Sequence, residues 1–287
     1  MPVFSFGRVC YNRTMNEEML RSLITTYRKD VWSPFTKAVR DYQLIKENDR
    51  IAVCISGGKD SFMLALVLEE LRRHGEVPFE LVYLCLDPGY DEETREMIRQ
   101  NAEKIGIDLQ YSSAVIFRYV ETLDTKPCYI CARMRRGALY TAAKELGCNK
   151  IALGHHYDDV VETILMSVLY SGQMRTMLPK LKAENFEGME LIRPLYLTEE
   201  RGIRNFWNHH GMEFIQCACS LTKKRFDEDY EHISKRAEVK RLIRDLEKTN
   251  PFLKSNIFRS AEKVNVETVL SYRDKDGVHE SWDTDKK

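Results

Sequence analysis

The 287 residues suffice to bury a substantial core, as one large domain or one domain with a smaller appendage, and 44 Lys and Arg balance 44 Asp and Glu. Net charge thus excludes a global electrostatic grip on an anionic partner, so any nucleic-acid surface must come from local segregation of charge. No apolar run nears the roughly 18 residues of a membrane span, and the start, MPVFSFGRVCYNR, lacks the apolar core of a signal peptide; a cytoplasmic protein with no membrane partner is expected, its eight cysteines being reduced thiols, metal ligands or catalysts before disulfides.

Residues 1–13 lack clear periodicity and are expected to form a surface arm, with Cys10 a bystander. Two helical patterns follow from Asn16 to Lys46, broken at Ser33-Pro34, where proline suits the first turn of the second helix. Ile51–Ser61, IAVCISGGKDS, predicts a buried parallel strand running into a tight turn and then a helix, FMLALVLEELRR. Gly57 and Gly58 permit backbone angles closed to other residues and let main-chain N–H groups approach a ligand, while the helix N-terminus that follows favours an anion. An ordinary nucleotide P-loop is excluded, because Val53 stands where its first glycine belongs and Asp60 follows the lysine.

The alternation of strand and helix continues, predicting a doubly wound parallel α/β sheet. ELVYLCLD (80–87) reads as the second strand and Glu92 to Ile105 as the returning helix. Cys54 and Cys85, inside apolar strands, read as small core hydrophobes. Asp87 falls at the carboxyl end of its strand, the edge where such sheets bind ligands, and is a candidate for nucleotide or magnesium contact, against the plainer role of capping the next turn. LQYSSAVIF (109–117) reads as a third strand. Cys128 and Cys131 then stand two residues apart, a spacing that lets both sulfurs reach one metal. Arg133, Arg135 and Arg136 follow near the start of a helix, a position unfavourable to its dipole that calls for an anionic neighbour.

KIALGHHYDDVV places a short strand, then Gly154, His155, His156, Asp158 and Asp159 on the loop and first turn of an amphipathic helix. A helix cap accounts for one aspartate; the group as a whole points to acid-base, magnesium or substrate contacts. GQMRTMLPKLK (172–182) is a basic, proline-broken loop that suits phosphate contact as well as it suits solvent. MELIRPLYL (189–197) reads as a further strand, with Thr198 a cap for the helix running to His210. Cys217 and Cys219 offer a third thiolate to join Cys128 and Cys131. The long helix to about Lys248 carries a basic stripe of Lys235, Arg236, Lys240, Arg241 and Arg244. The expected division is an N-terminal arm and helices (1–46), a nucleotide-binding α/β domain (47–220), a C-terminal helical extension (221–273) and a polar disordered tail (274–287).

SGGKDS resembles the PP-loop of the ATP pyrophosphatases, whose domain has the adenine nucleotide α-hydrolase-like fold. That resemblance implies pyrophosphate held around Ser56, Gly57, Gly58 and Ser61, with Lys59 beside the phosphates and Asp60 near Mg2+. Asp87, Gly154 and His155 are the further candidates for ATP contact. Taken with C-x-x-C before RMRRGALY, ALGHHYDD and the late IQCACS, the chain from about residue 35 to 265 resembles the tRNA 2-thiocytidine synthetase family. The resemblance implies a sulfurtransferase that adenylates a tRNA pyrimidine at C2 and replaces its oxygen by sulfur, using a [4Fe-4S] cluster on three cysteines whose fourth iron stays open to sulfide. It implies Cys128, Cys131 and Cys217 as cluster ligands, a sulfur donor such as a cysteine desulfurase or free sulfide, and a homodimer. Two departures stand out: the late pair is Cys-Ala-Cys, leaving Cys219 an alternative ligand, and Arg135 stands nearest to a lysine of the related 2-thiouridine branch. An arginine cannot act as a base, so Asp158 is the better candidate. A PP-loop ligase of lysidine-synthetase type and a non-catalytic iron-sulfur RNA-binding protein are the alternative readings.

Overall fold

The computed structural model describes residues 7–8, 15–120, 122, 127–215 and 235–281, with the backbone alone for 7, 8, 127 and 128. The chain divides into two compact units, residues 1–159 with 178–233 and residues 160–177 with 234–287. This differs from the division expected from sequence, because residues 160–177 group with the C-terminal helices.

In the first unit a seven-stranded sheet is built from β1 (Gly7–Arg8), β2 (Arg50–Ile55), β3 (Glu80–Asp87), β4 (Leu109–Ser113), β5 (Lys150–Ala152), β6 (Lys180–Lys182) and β7 (Glu190–Ile192). Their spatial order is β1-β4-β3-β2-β5-β7-β6. The inner five run parallel, and antiparallel β1 and β6 close the edges. The fold is therefore the doubly wound α/β sheet that the strand-helix alternation predicts. From β2 the chain builds β3 and β4 on one side, then returns to place β5 and β7 on the other. Strand order thus reverses between β2 and β5, and the crevice beyond the carboxyl ends at such a switch point is where sheets of this kind bind ligands.

Helices of this unit are α1 (Glu17–Ile24), α2 (Ser33–Asp41), α3 (Lys59–His74), α4 (Glu92–Ile105), α5 (Phe117–Val120), α6 (Pro127–Glu145) and α8 (Glu200–His209), while α7 (Tyr157–Ser171) begins here and continues into the second unit. Proline enters the first turn of α2 as expected, after a π-helical turn at Arg28–Trp32. β2 is buried at every position after Arg50, and α3 is buried continuously from Ser61 to Glu70. A helix so apolar on all sides belongs inside. Ile203, Phe206 and Trp207 of α8 join Phe62 and Met63 in the same core, each large apolar side chain contributing roughly 1.5–3 kcal/mol by burial.

In the second unit, α9 (Lys235–Glu247) buries Val239 and Ile243, four residues apart on one face, and α10 (Leu253–Glu262) follows. Lys235, Arg236, Lys240, Arg241 and Arg244 are exposed, with Arg236 3.6 Å from Glu162 and the Lys235 ammonium 4.6 Å from the centre of the Tyr170 ring. Residues 274–281, polar enough to predict disorder, instead form part of a hairpin of β8 (Ser271–Asp274) and β9 (Gly277–Glu280); Gly277 at φ 130° supplies the turn geometry that only glycine adopts easily. Likewise the basic loop ends in a strand, because Lys180–Lys182 pairs with β7.

Candidate active site

The glycine turn sits at the head of β2, in the crevice. Gly57 has φ 86°, and a Cβ there would come within 2.6 Å of Ile215 Cδ1, so both conformation and space demand glycine. Gly58 is the N-cap of α3. Ser61 closes the turn on itself: its hydroxyl donates to Gly58 O at 2.7 Å and accepts from Ser56 N at 3.1 Å. The first amides of α3 are thereby presented to the crevice with the positive end of the helix dipole.

Lys59 and Asp60 occupy the first turn of α3. The Lys59 ammonium lies 2.9 Å from Asp60 Oδ2 and 3.0 Å from Glu200 Oε1. Burial acts to lower its pKa, but the adjacent Asp60 and Glu200 carboxylates outweigh it and hold the lysine above its ordinary value. Glu200 belongs to α8, which is fixed against the loop by a hydrogen bond from Trp207 Nε1 to Lys59 O at 2.9 Å. Asp60 Oδ1 is buried and accepts no hydrogen bond among the described residues.

The strand β5 delivers the second motif to the same edge. Gly154 passes so close to α3 that a Cβ would sit 3.0 Å from the Asp60 carbonyl. His156 is buried, with Nε2 3.9 Å from Asp60 Oδ1 and Nδ1 3.6 Å from Asp159 Oδ2; His155 beside it is half-buried. Both aspartates cap helices. Asp159 Oδ2 accepts from His156 N at 3.1 Å at the start of its own helix, whereas Asp158 Oδ2 accepts from Glu200 N at 2.7 Å, 42 residues away. Thr198 is therefore not the cap of α8: the N-cap residue is Glu199, whose side chain makes no capping bond, and Thr198 is buried with Oγ1 unpartnered among the described residues. Asp87 is turned to its own loop, where Oδ1 accepts from Gly89 N and Tyr90 N and Oδ2 pairs with Arg95 at 2.7 Å. His156 belongs to the doubled histidine that the sequence singles out, whereas Glu200 and Trp207 are site residues that motif reading does not find, because they carry no local signal.

A model described as the PP-loop domain matches residues 26–227. The chain is 37% identical over 82% of its length to the tRNA-cytidine(32) 2-sulfurtransferase of Pelobacter propionicus, covering 85% of that protein, and 36% identical over 85% of its length to the enzyme of that name from Geobacter metallireducens, covering 93%. It belongs to the PP-loop family of tRNA-cytidine 2-sulfurtransferases. As a member of that family it is a sulfurtransferase. The fold agrees with that of the U34-tRNA thiolase NcsA of Methanococcus maripaludis, solved with its [4Fe-4S] cluster, at TM-score 0.64 and 22% identity over 85% of this chain and 80% of that one.

The family directs attention to the cysteines. Cys128 and Cys131 lie in the first two turns of α6, and a spacing of three places them on one helix face. Cys131 is half-buried and packs against the cluster of Leu86, Ile116 and Val120, beside the carboxyl end of β3. Cys10, Cys217 and Cys219 lie outside the described residues, and among the described residues no three His, Cys, Asp or Glu are grouped to hold a metal. The donor chemistry fits an iron-sulfur cluster as far as α6 carries it, since two thiols one turn apart suit thiolate ligation. The unpartnered Asp60 oxygen likewise suits a hard cation. The other described cysteines do not compete: burial pushes the Cys85 thiol up to about 12 and Cys148 up to about 11, and raises Cys54 as well. Arg133, Arg135 and Arg136 stand in the second and third turns of α6, because the helix starts at Pro127. They are beyond the reach of its N-terminal dipole, and Arg135 instead meets the Tyr90 hydroxyl at 3.5 Å.

Proposed function

We propose that this protein converts cytidine 32 of tRNA to 2-thiocytidine, consuming ATP. The observation that carries the reading is the meeting, at one sheet edge, of the glycine turn, the Lys59 ammonium and the unpartnered Asp60 oxygen, in a chain similar along most of its length to enzymes named for that reaction.

The loop amides of Gly57 and Gly58 and the start of α3 hold the phosphates, with Ser56 and Ser61 fixing the turn, while Gly154 and His155 bound the nucleotide and Asp87 fixes the loop that follows β3. Asp60 would hold the Mg2+ ion, which when bound offsets charge on the departing pyrophosphate. The C2 oxygen of the cytidine attacks the α-phosphorus, pyrophosphate leaves, and Lys59 stabilises the charge that gathers on it. AMP is then the leaving group at C2: a sulfide sulfur forms the new C–S bond, the C–O bond breaks, and the sulfur proton passes to Asp158 as base. Cys128, Cys131 and Cys217, or Cys219 in its place, would hold a [4Fe-4S] cluster whose open iron, when bound, presents that sulfide. Exposed Lys235, Arg236, Lys240, Arg241 and Arg244 suit tRNA phosphates. We place the reaction in the cytoplasm, where thiols stay reduced, with a cysteine desulfurase or free sulfide as donor and a homodimer as the working form.

Anaerobically purified protein is expected to contain iron and to release pyrophosphate from ATP only when tRNA is added. With sulfide it forms 2-thiocytidine, and Cys128→Ala stops thiolation while sparing pyrophosphate release. Iron-free protein with full activity, or thiolation untouched by Cys128→Ala, contradicts the proposal.

A further inference from the structure

Glu200 is tied to the phosphate-binding turn from another part of the chain, and nothing in the motifs accounts for it. Its carboxylate meets the Lys59 ammonium at 3.0 Å, with 15% of the side chain exposed. Three contacts prevent it from following the lysine elsewhere. Asp158 Oδ2 caps the Glu200 amide at 2.7 Å; buried Trp207, two turns on, donates to Lys59 O; and Gly202 lies so close to Asp30 that a Cβ would stand 2.8 Å from its carbonyl oxygen. Lys59 is thus held between a neighbour that moves with it, Asp60, and a carboxylate anchored on α8.

We infer that Glu200 is a positioning residue that holds Lys59 in register before ATP arrives and then competes with the phosphate chain for it. The inference rests on the assignment of ATP to the PP-loop. A triphosphate entering the turn therefore meets an ammonium already engaged by Asp60 and Glu200. The phosphates must take Lys59 from Glu200, and the strength of that ion pair is subtracted from the affinity for ATP. Because the Glu200 amide is capped by Asp158, the exchange also links the state of the lysine to the histidine-aspartate motif on α7.

The test is equilibrium binding of ATP with Mg2+ to the full chain, with adenosine as a ligand lacking phosphates. Glu200→Gln keeps the shape and removes the charge; it is expected to tighten ATP about fivefold, the size of a half-screened ion pair, and to leave adenosine unchanged. In a Lys59→Met background the same change is expected to lose most of that gain, a coupling that general loosening of α8 does not produce. Glu200→Asp, one methylene shorter, serves as a folded control and is expected to fall between the two. Weaker ATP binding by Glu200→Gln, the result of a carboxylate that ligates the cation, overturns the inference, and so does unchanged binding. Failure of the unmodified protein to bind ATP overturns instead the assignment of the PP-loop, and this inference with it.

Discussion

Two lysines stand at opposite edges of the same sheet, each among carboxylates, and they are finished differently. Lys150, at the amino end of β5, is 2% exposed. Its ammonium meets Leu44 O at 2.8 Å, Asp49 Oδ2 at 2.7 Å and Glu190 Oε2 at 3.4 Å, and Asp49 is completed by Asn149 Nδ2 and Lys46 N. A cavity of about 680 Å3 opens over that edge, yet none of its lining side chains has a buried polar atom short of a partner. Lys59, at the carboxyl edge, is 27% exposed, and its neighbour Asp60 keeps one buried oxygen unpartnered among the described residues. A closed network fastens strands, and an open one awaits a ligand. The presence of a cavity does not distinguish the two edges, whereas hydrogen-bond bookkeeping does.

That contrast is open to attack by substitution. Lys150→Met leaves buried Asp49 without its cation, beside a partly exposed Glu190, and is expected to cost about 3–5 kcal/mol in urea unfolding; a neutral result would mean that the amino edge is not closed. Lys59→Met is expected to change stability by less than about 1 kcal/mol, while tRNA-dependent pyrophosphate release falls about 100-fold or more in kcat. Gly154→Ala pushes a methyl group against the backbone of Asp60, so a displaced turn should slow pyrophosphate release about tenfold with the fold retained in circular dichroism. The smallest effect on stability is expected from Asp158→Asn, because an amide oxygen still caps α8, at a change of about 0.5 kcal/mol or less. If Asp158 is the base, this variant nevertheless loses thiolation while pyrophosphate release continues.

The carboxyl edge was largely legible in the sequence wherever function and local backbone coincide. IAVCISGGKDS predicts strand, turn and helix, and β2 followed by α3 forms there. ALGHHYDD reaches the same edge because β5 pairs with β2, which strand-helix alternation anticipates. Glu200 was not legible. In sequence it is one of two acids in the first turn of a helix, and only the tertiary contact between α8 and Lys59 gives it a second role. For the same reason Thr198 was a reasonable cap from its neighbours and not the one used: a carboxylate from α7 arrived first. The closed amino edge was equally silent, since Asp49, Lys150 and Glu190 share no motif and meet only because their strands align.

The most direct test of the account is mass spectrometry of tRNA nucleosides from cells whose own copy of the gene encodes Lys59→Met. The account predicts the variant at normal abundance, bound iron intact, and 2-thiocytidine lost from tRNA. Undiminished 2-thiocytidine in those cells would contradict it.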